Sequence, residues 1–80
     1  MTSSRPILVI DDDTELCELL ATYLTKAGFA VTAVHDGENG VKSALSGDFD
    51  FIVLDVMLPN MNGFDVLRKV RTESEIPVLM

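Results

Sequence analysis

The 80-residue sequence has no tryptophan, one cysteine, one histidine and only 6 basic residues against 13 acidic ones. A single cysteine excludes an internal disulfide, and Cys17 is expected to pack on a helix because no histidine completes a nucleophile pattern beside it. His35 precedes the turn formers Asp36 and Gly37 and is interpreted as a solvated turn residue. The net charge of -7 disfavours a nucleic-acid partner, since binding phosphates requires a basic surface.

Long apolar segments are also lacking. No run approaches the roughly 20 residues of a membrane-spanning helix, and the N-terminal MTSSRP lacks the hydrophobic centre of a secretory signal. The sequence therefore predicts a cytoplasmic protein without membrane contact. Hydrophobic residues make up 48% of the chain and are spread along it, which predicts one folded domain over residues 1–80.

Short apolar runs alternate with helical patterns. Residues 7–10, 29–34, 51–54 and 76–80 predict strands. A first helix is expected to start at Asp13 or Thr14 and stop at Gly28, a second to cover residues 38–45, and a third to follow Asn62. Strict alternation indicates a parallel sheet with right-handed crossovers, and hence an α/β fold.

Two of the buried strands run directly into aspartates. Residues 7–10 are followed by Asp11, Asp12 and Asp13, and residues 51–54 by Asp55. In an open parallel sheet, ligands bind beyond the carboxyl ends of strands where the winding reverses, here between strands 1 and 3 if they are neighbours. Like charges about 4 Å apart repel by roughly 1 kcal/mol in water and more when partly buried, which a bound Mg²⁺ would offset. With Mg²⁺, an aspartate can also act as a nucleophile toward a phosphoryl group.

Each feature also has a simpler interpretation. Three aspartates suit a solvated helix start, because the helix dipole favours negative charge there. Asp55 alone could merely end a strand, and Pro59 and Gly63 suit any turn into a helix. Acidic residues at the ends of both strands that flank the predicted reversal favour metal or phosphate chemistry over these interpretations.

The stretches ILVIDDD, FIVLDVMLPNMNGFD and IPVLM, in this order and spacing, resemble the receiver domain of bacterial two-component response regulators, most closely the OmpR/PhoB type. The resemblance covers nearly the whole chain and implies a flavodoxin-like parallel sheet in the order 2-1-3-4. It implies that Asp55 accepts a phosphoryl group from a sensor histidine kinase. It further implies that Asp12 binds Mg²⁺ directly, that Asp11 assists through a water, and that Met57 contributes its backbone carbonyl. Such a domain is a regulatory switch rather than a metabolic enzyme.

The resemblance also predicts parts that would follow Met80: a hydroxyl residue after the fourth strand, a fifth strand ending in lysine, and two more helices. Residues 1–80 are therefore interpreted as the N-terminal portion of a receiver domain, truncated after the fourth strand, from a longer transcription regulator with a DNA-binding output domain. In the 80-residue chain the fourth strand would be an exposed edge that invites self-association or swapping. Phosphoryl transfer to Asp55 is then expected to be weak or absent, because no cation besides Mg²⁺ would stabilise the transferred group.

Two other functions stay open at this point. A haloacid-dehalogenase-like phosphohydrolase would also use a strand-end aspartate with Mg²⁺, but it would carry a second aspartate at the position of Met57. A receiver-like module could act only through interaction or self-association, without phosphorylation. The full set of Asp11, Asp12 and Asp55 argues against that alternative.

Overall fold

The structure is a computed structural model and describes residues 5–80. These residues form alternating strands and helices: β1 (Arg5–Ile10), α1 (Thr14–Lys26), β2 (Phe29–Val34), α2 (Gly37–Ala44), β3 (Phe51–Leu54), α3 (Gly63–Arg71) and β4 (Val78–Leu79). All strand pairs are parallel and the sheet order is β2-β1-β3-β4, which confirms the predicted flavodoxin-like order for this part of the chain. None of the helices between residues 5 and 80 is long and apolar enough to cross a membrane.

β1 lies inside the sheet because its side chains find apolar partners on both faces. Successive residues of a strand point to opposite sides. Leu8 and Ile10 pack on the face covered by α2 and α3, while Ile7 and Val9 pack on the other face with Cys17 of α1. All four strand residues are fully buried. This burial fixes the register of β1, and with it the position of the aspartates that follow.

Side chains cap the starts of α1, α2 and α3, as predicted for α1 and α3, whereas Asp36 was predicted only as a turn residue. The side chains of Asp13, Asp36 and Asn62 each accept a hydrogen bond from the backbone amide three residues later, at 3.0, 2.8 and 3.0 Å. Because Asp36 caps α2, that helix begins at Gly37, one turn-forming residue earlier than predicted. Gly28 has a positive φ of 98° just after α1, as expected for a glycine that ends a helix.

The outer strands differ from their predicted bounds. β1 extends back to Arg5 because Arg5 and Pro6 pair with the start of β2, a polar beginning that an apolar pattern does not detect. β4 covers only Val78–Leu79 instead of residues 76–80. In the described part of the chain it pairs with β3 alone, so few backbone hydrogen bonds extend it.

Candidate metal centre

The sheet topology brings the ends of β1 and β3 together. Ile10 pairs with Leu54, and the next residue along each strand is an aspartate, Asp11 and Asp55. The Asp55 amide donates to the Ile10 carbonyl at 2.9 Å. Because β2 lies on one side of β1 and β3 on the other, this is the point where the winding reverses. The predicted meeting of the two acidic strand ends is confirmed.

Three carboxylates converge at this edge. Asp11, Asp12 and Asp55 each offer one oxygen, and these oxygens lie within 4.8 Å of one another. Asp11 and Asp55 are half-buried, whereas Asp12 is exposed. The ion pairs observed within residues 5–80, Arg5–Asp50 and Arg68–Asp65, lie outside this cluster. The cluster therefore concentrates negative charge that these ion pairs do not neutralise.

The pKa of Asp11 reflects this excess of negative charge. Burial raises the pKa of the Asp11 carboxyl, and the nearby charges of Asp55, Asp12 and Asp13 raise it further. A hydrogen bond from the Asp13 amide to Asp11 Oδ1, at 2.9 Å, lowers the pKa but does not cancel the rise. The ionised form is thus disfavoured in the folded chain, and a bound cation would favour it.

The donor set fits a hard divalent cation. Every donor in the cluster is an oxygen, and Mg²⁺ is usually held by one or two carboxylates and several waters. Met57 follows Asp55 closely, and its amide donates to Asp55 Oδ1 at 3.1 Å. Met57 is 78% exposed, which suits a residue expected to contribute only its backbone carbonyl. That role of Met57 stays a prediction.

Gly63 allows the start of α3 to lie against the backbone of Asp55. A Cβ at Gly63 would clash with the Asp55 carbonyl oxygen and would lie 2.9 Å from the Cα of Val56. The Gly63 amide donates to the Val56 carbonyl at 2.8 Å, which holds this close approach. Gly63 therefore helps to fix the backbone from which Asp55 projects.

His35 has a contact that the sequence analysis missed. The residue is exposed, as expected, but its Nδ1 lies 2.9 Å from the Asp11 carbonyl oxygen and donates to it. The interpretation of His35 as a solvated turn residue is incomplete, since the ring bonds to the loop that carries the acidic cluster. The two residues are 24 positions apart, so no local pattern could indicate the contact.

Cys17 is buried, as its expected packing role requires. Burial raises the pKa of its thiol, and the charge of Asp11 adds to that effect, so the thiolate form is disfavoured. Its Sγ lies 3.5 Å from the Asp11 carbonyl oxygen. Packing of Cys17 on a helix is confirmed.

Comparison with known protein families gives one match along nearly the whole described chain. Residues 7–80 match the family model of the response regulator receiver domain. The chain is 42% identical over 73 residues to the uncharacterized transcriptional regulatory protein YcbL of Bacillus subtilis (strain 168), covering 91% of this chain and 32% of YcbL. It is 40% identical over 75 residues to the transcriptional regulatory protein CusR of Escherichia coli (strain K12), covering 92% of this chain and 33% of CusR. The chain thus spans about a third of the length of these curated relatives.

A solved structure gives the same fold. The receiver domain of the sensor histidine kinase PA1611 from Pseudomonas aeruginosa PAO1 superposes with a TM-score of 0.88 at 28% identity, over 94% of this chain and 64% of that one. That crystal structure has a magnesium ion coordinated in its active site cleft.

Proposed function

The chain belongs to the response regulator receiver domain family, and from this premise we propose that Asp55 accepts a phosphoryl group from a sensor histidine kinase with the help of Mg²⁺. Its role as a receiver domain is regulatory, and its relatives are transcriptional regulators of the predicted OmpR/PhoB type. The observation that carries the proposal is the convergence of three carboxylates from two strand ends within 4.8 Å.

In this proposal each residue of the cluster has one task. Asp12 would bind Mg²⁺ directly, Asp11 would hold it through a water, and Asp55 and the Met57 carbonyl would complete the protein ligands. Bound Mg²⁺ would supply positive charge to the oxygens of the transferred phosphoryl group. The carboxylate of Asp55 is oriented by the Met57 amide, which occupies its Oδ1. A carboxylate oxygen forms the bond to phosphorus while the bond from phosphorus to the donor histidine breaks, and the imidazole keeps the electron pair.

The proposal extends to partners and context. Residues 1–80 correspond to the N-terminal portion of a receiver domain, and the longer protein carries an output domain that binds DNA. The chain acts in the cytoplasm as a switch and turns over no metabolic substrate. The chain matches only about a third of each of these transcriptional regulators, which supports the presence of further domains in the longer protein.

The sheet edge at β4 supports a second partner proposal for the 80-residue chain. Within residues 5–80, β4 pairs only with β3, and Leu79 is 63% exposed. An apolar edge strand of this kind can pair with another copy of the chain. We expect a concentration-dependent dimer in sedimentation, and a monomer at all concentrations would contradict self-association.

Mg²⁺ binding is the first test of the proposed site. Because the ion would bind only the folded chain, millimolar Mg²⁺ is expected to raise the melting temperature. Asp12→Asn should remove most of this shift, whereas Na⁺ at the same ionic strength should not produce it. An unaltered melting temperature with Mg²⁺ would count against a preformed metal site.

Phosphoryl acceptance is tested by incubation with acetyl phosphate and Mg²⁺, followed by intact mass measurement. We expect a substoichiometric adduct of one phosphoryl group, because the observed ion pairs place no cationic side chain in the cluster to assist Mg²⁺. Asp55→Asn should abolish the adduct. An adduct that persists in Asp55→Asn would contradict the assignment of Asp55, and a stoichiometric adduct in the unaltered chain would contradict the expected weak transfer. Steady release of phosphate from a phosphomonoester would instead favour the phosphohydrolase alternative.

A further inference from the structure

We propose that His35 is a positioning residue for the acidic cluster, because its imidazole holds the peptide that joins Asp11 to Asp12. The inference rests on the proposed Mg²⁺ site and assigns it a supporting side chain from the end of β2. The juxtaposition that carries it is the 2.9 Å contact between His35 Nδ1 and the Asp11 carbonyl oxygen.

His35 donates a hydrogen bond just beyond the end of the β1–β2 ladder. The Asp11 amide donates to the Val34 carbonyl at 3.1 Å, which continues the pairing of β1 with β2 by one residue. In a parallel ladder the Asp11 carbonyl would next accept an amide from the residue after His35. Asp36 instead caps α2 with its side chain as the chain turns into that helix. The imidazole of His35 therefore supplies a donor at the place where the backbone leaves the sheet.

The contact determines which ring nitrogen carries the proton. A carbonyl oxygen only accepts hydrogen bonds, so His35 Nδ1 must be protonated. A ring with a proton on Nδ1 satisfies this requirement. Cys17 Sγ lies 3.5 Å from the same oxygen and 3.9 Å from Nδ1. Because a thiol is a weak donor, we assign the main restraint to His35.

The hydrogen bond from His35 restrains the direction in which the backbone enters Asp12. A peptide unit is planar, so fixing the Asp11 carbonyl also fixes the direction in which the chain enters Asp12. The carboxylates of Asp11, Asp12 and Asp55 repel one another in the absence of a cation. A held peptide keeps them close in spite of that repulsion. Groups that orient metal ligands in this way commonly change metal affinity when they are removed.

The decisive variants are His35→Ala and His35→Asn, measured by Mg²⁺ titration at a temperature where every variant is folded. Alanine removes the donor, and we expect the Mg²⁺ dissociation constant to rise about threefold to tenfold, the range of one exposed hydrogen bond. Asparagine places an N–H donor at the same branch of the side chain, so it should restore the constant to within about twofold. An unchanged constant in His35→Ala, or no restoration by His35→Asn, would overturn the proposal.

Val31→Ala controls for general destabilisation. Val31 also lies in β2, but it packs against the hydrophobic core on the α1 side of the sheet. Its truncation should therefore lower the stability of the fold without removing a contact to the Asp11 carbonyl. We expect its Mg²⁺ dissociation constant to match that of the unaltered chain. An equal loss of affinity in Val31→Ala would show that His35 acts only through stability and would overturn the positioning role.

NMR of the metal-free chain tests the hydrogen bond independently of Mg²⁺. The ¹⁵N shifts of the His35 ring should show the proton on Nδ1, and the Asp12 amide resonance should move in His35→Ala but less in His35→Asn. A ring protonated only on Nε2 would overturn the proposal. Failure of the unaltered chain to bind Mg²⁺ would instead overturn the proposed metal site, while the ring spectrum still decides whether His35 holds the loop.

Discussion

Two groups of aspartates lie at the same edge of the sheet and differ in what their oxygens meet. Asp11, Asp12 and Asp55 face one another, and burial and neighbouring charge raise the pKa of Asp11. Asp13 and Asp36 instead face the free amides of helix starts. Hydrogen bonds from the backbone and side chain of Asn39 lower the pKa of Asp36. The first group carries uncompensated repulsion, and the second stabilises the fold.

The contrast is sharpest between Asp12 and Asp13, which are adjacent in sequence. One side chain points into a cluster of other carboxylates, while the other accepts the Leu16 amide. Composition alone cannot separate them, since both are acidic residues after a buried strand. Their surroundings decide whether the charge serves binding or stability, so the two groups should respond oppositely to substitution and to pH.

Gly63 lies between a helix cap and the backbone of Asp55, and its substitution is expected to have the largest effect. Asn62 caps α3, and the following glycine packs on the Asp55 backbone, so an added Cβ must move the helix or the strand end. We expect Gly63→Ala to lower the free energy of unfolding by about 2 kcal/mol in urea denaturation. Gly28→Ala measures a different cost, because its Cβ would meet no atom within 4 Å and its loss would come only from a φ of 98°. An unchanged free energy of unfolding in Gly63→Ala would contradict the close-packed start of α3.

Mg²⁺ affinity should separate the neighbouring aspartates. Asp12→Asn and Asp13→Asn each remove one negative charge from adjacent positions, but only Asp12 belongs to the cluster. We expect Asp12→Asn to weaken Mg²⁺ binding by about tenfold or more and Asp13→Asn by less than about threefold, because the latter changes only a screened neighbouring charge. Calorimetric titration measures both. Equal losses would mean that general charge, not ligation, determines affinity.

In the metal-free chain, substitution of Asp13 should lower the free energy of unfolding more than substitution of Asp12, the reverse of their order in Mg²⁺ affinity. Asp13→Ala deletes a helix cap and is expected to lower the free energy of unfolding by about 1 kcal/mol. Asp12→Ala removes a repelling charge and should leave the stability unchanged or slightly higher. Urea denaturation with a chelator present gives both values. A larger loss in Asp12→Ala than in Asp13→Ala would show that Asp12 has a stabilising contact in the metal-free chain.

Most of the fold followed from local patterns, because its elements have local causes. The β1 and β3 runs are apolar along their length, and the side chains that start the helices are those that accept backbone amides. The predicted strand bounds were wrong where pairing with a neighbouring strand determines them. β4 is short because it has one partner, and β1 is longer than its apolar run because β2 extends alongside it.

The candidate site was predictable only in part. The meeting of Asp11 with Asp55 followed from the rule that ligands bind where a parallel sheet reverses its winding. The contact of His35 with the Asp11 carbonyl and the approach of Gly63 to Asp55 depend on tertiary distances of a few ångströms. No local pattern indicates the contact of His35 with a residue 24 positions away.

The smallest expected effect is the pH dependence of stability, which compares Asp36 directly with Asp11. The folded-state pKa of Asp36 is lowered, so its contribution to stability is present above the ordinary aspartate pKa and is lost as the pH falls through the lowered value. The folded-state pKa of Asp11 is raised, so its ionisation destabilises the metal-free chain above that raised value. Protonation relieves this effect, which has vanished below the ordinary aspartate pKa.

At neutral pH with a chelator, Asp11→Asn should therefore be more stable than the unaltered chain and Asp36→Asn less stable. Asparagine keeps the oxygen that accepts the Asn39 amide, so the Asp36 variant loses the charge but not the cap. The Asp11 difference should vanish as the pH falls below the ordinary aspartate pKa, whereas the Asp36 difference should shrink only as the pH falls through the lowered pKa of Asp36. Urea denaturation across this range measures them. Differences of the same sign would show that Asp11 and Asp36 respond only to the net charge of -7, and the distinction between a repelling cluster and stabilising caps would fail.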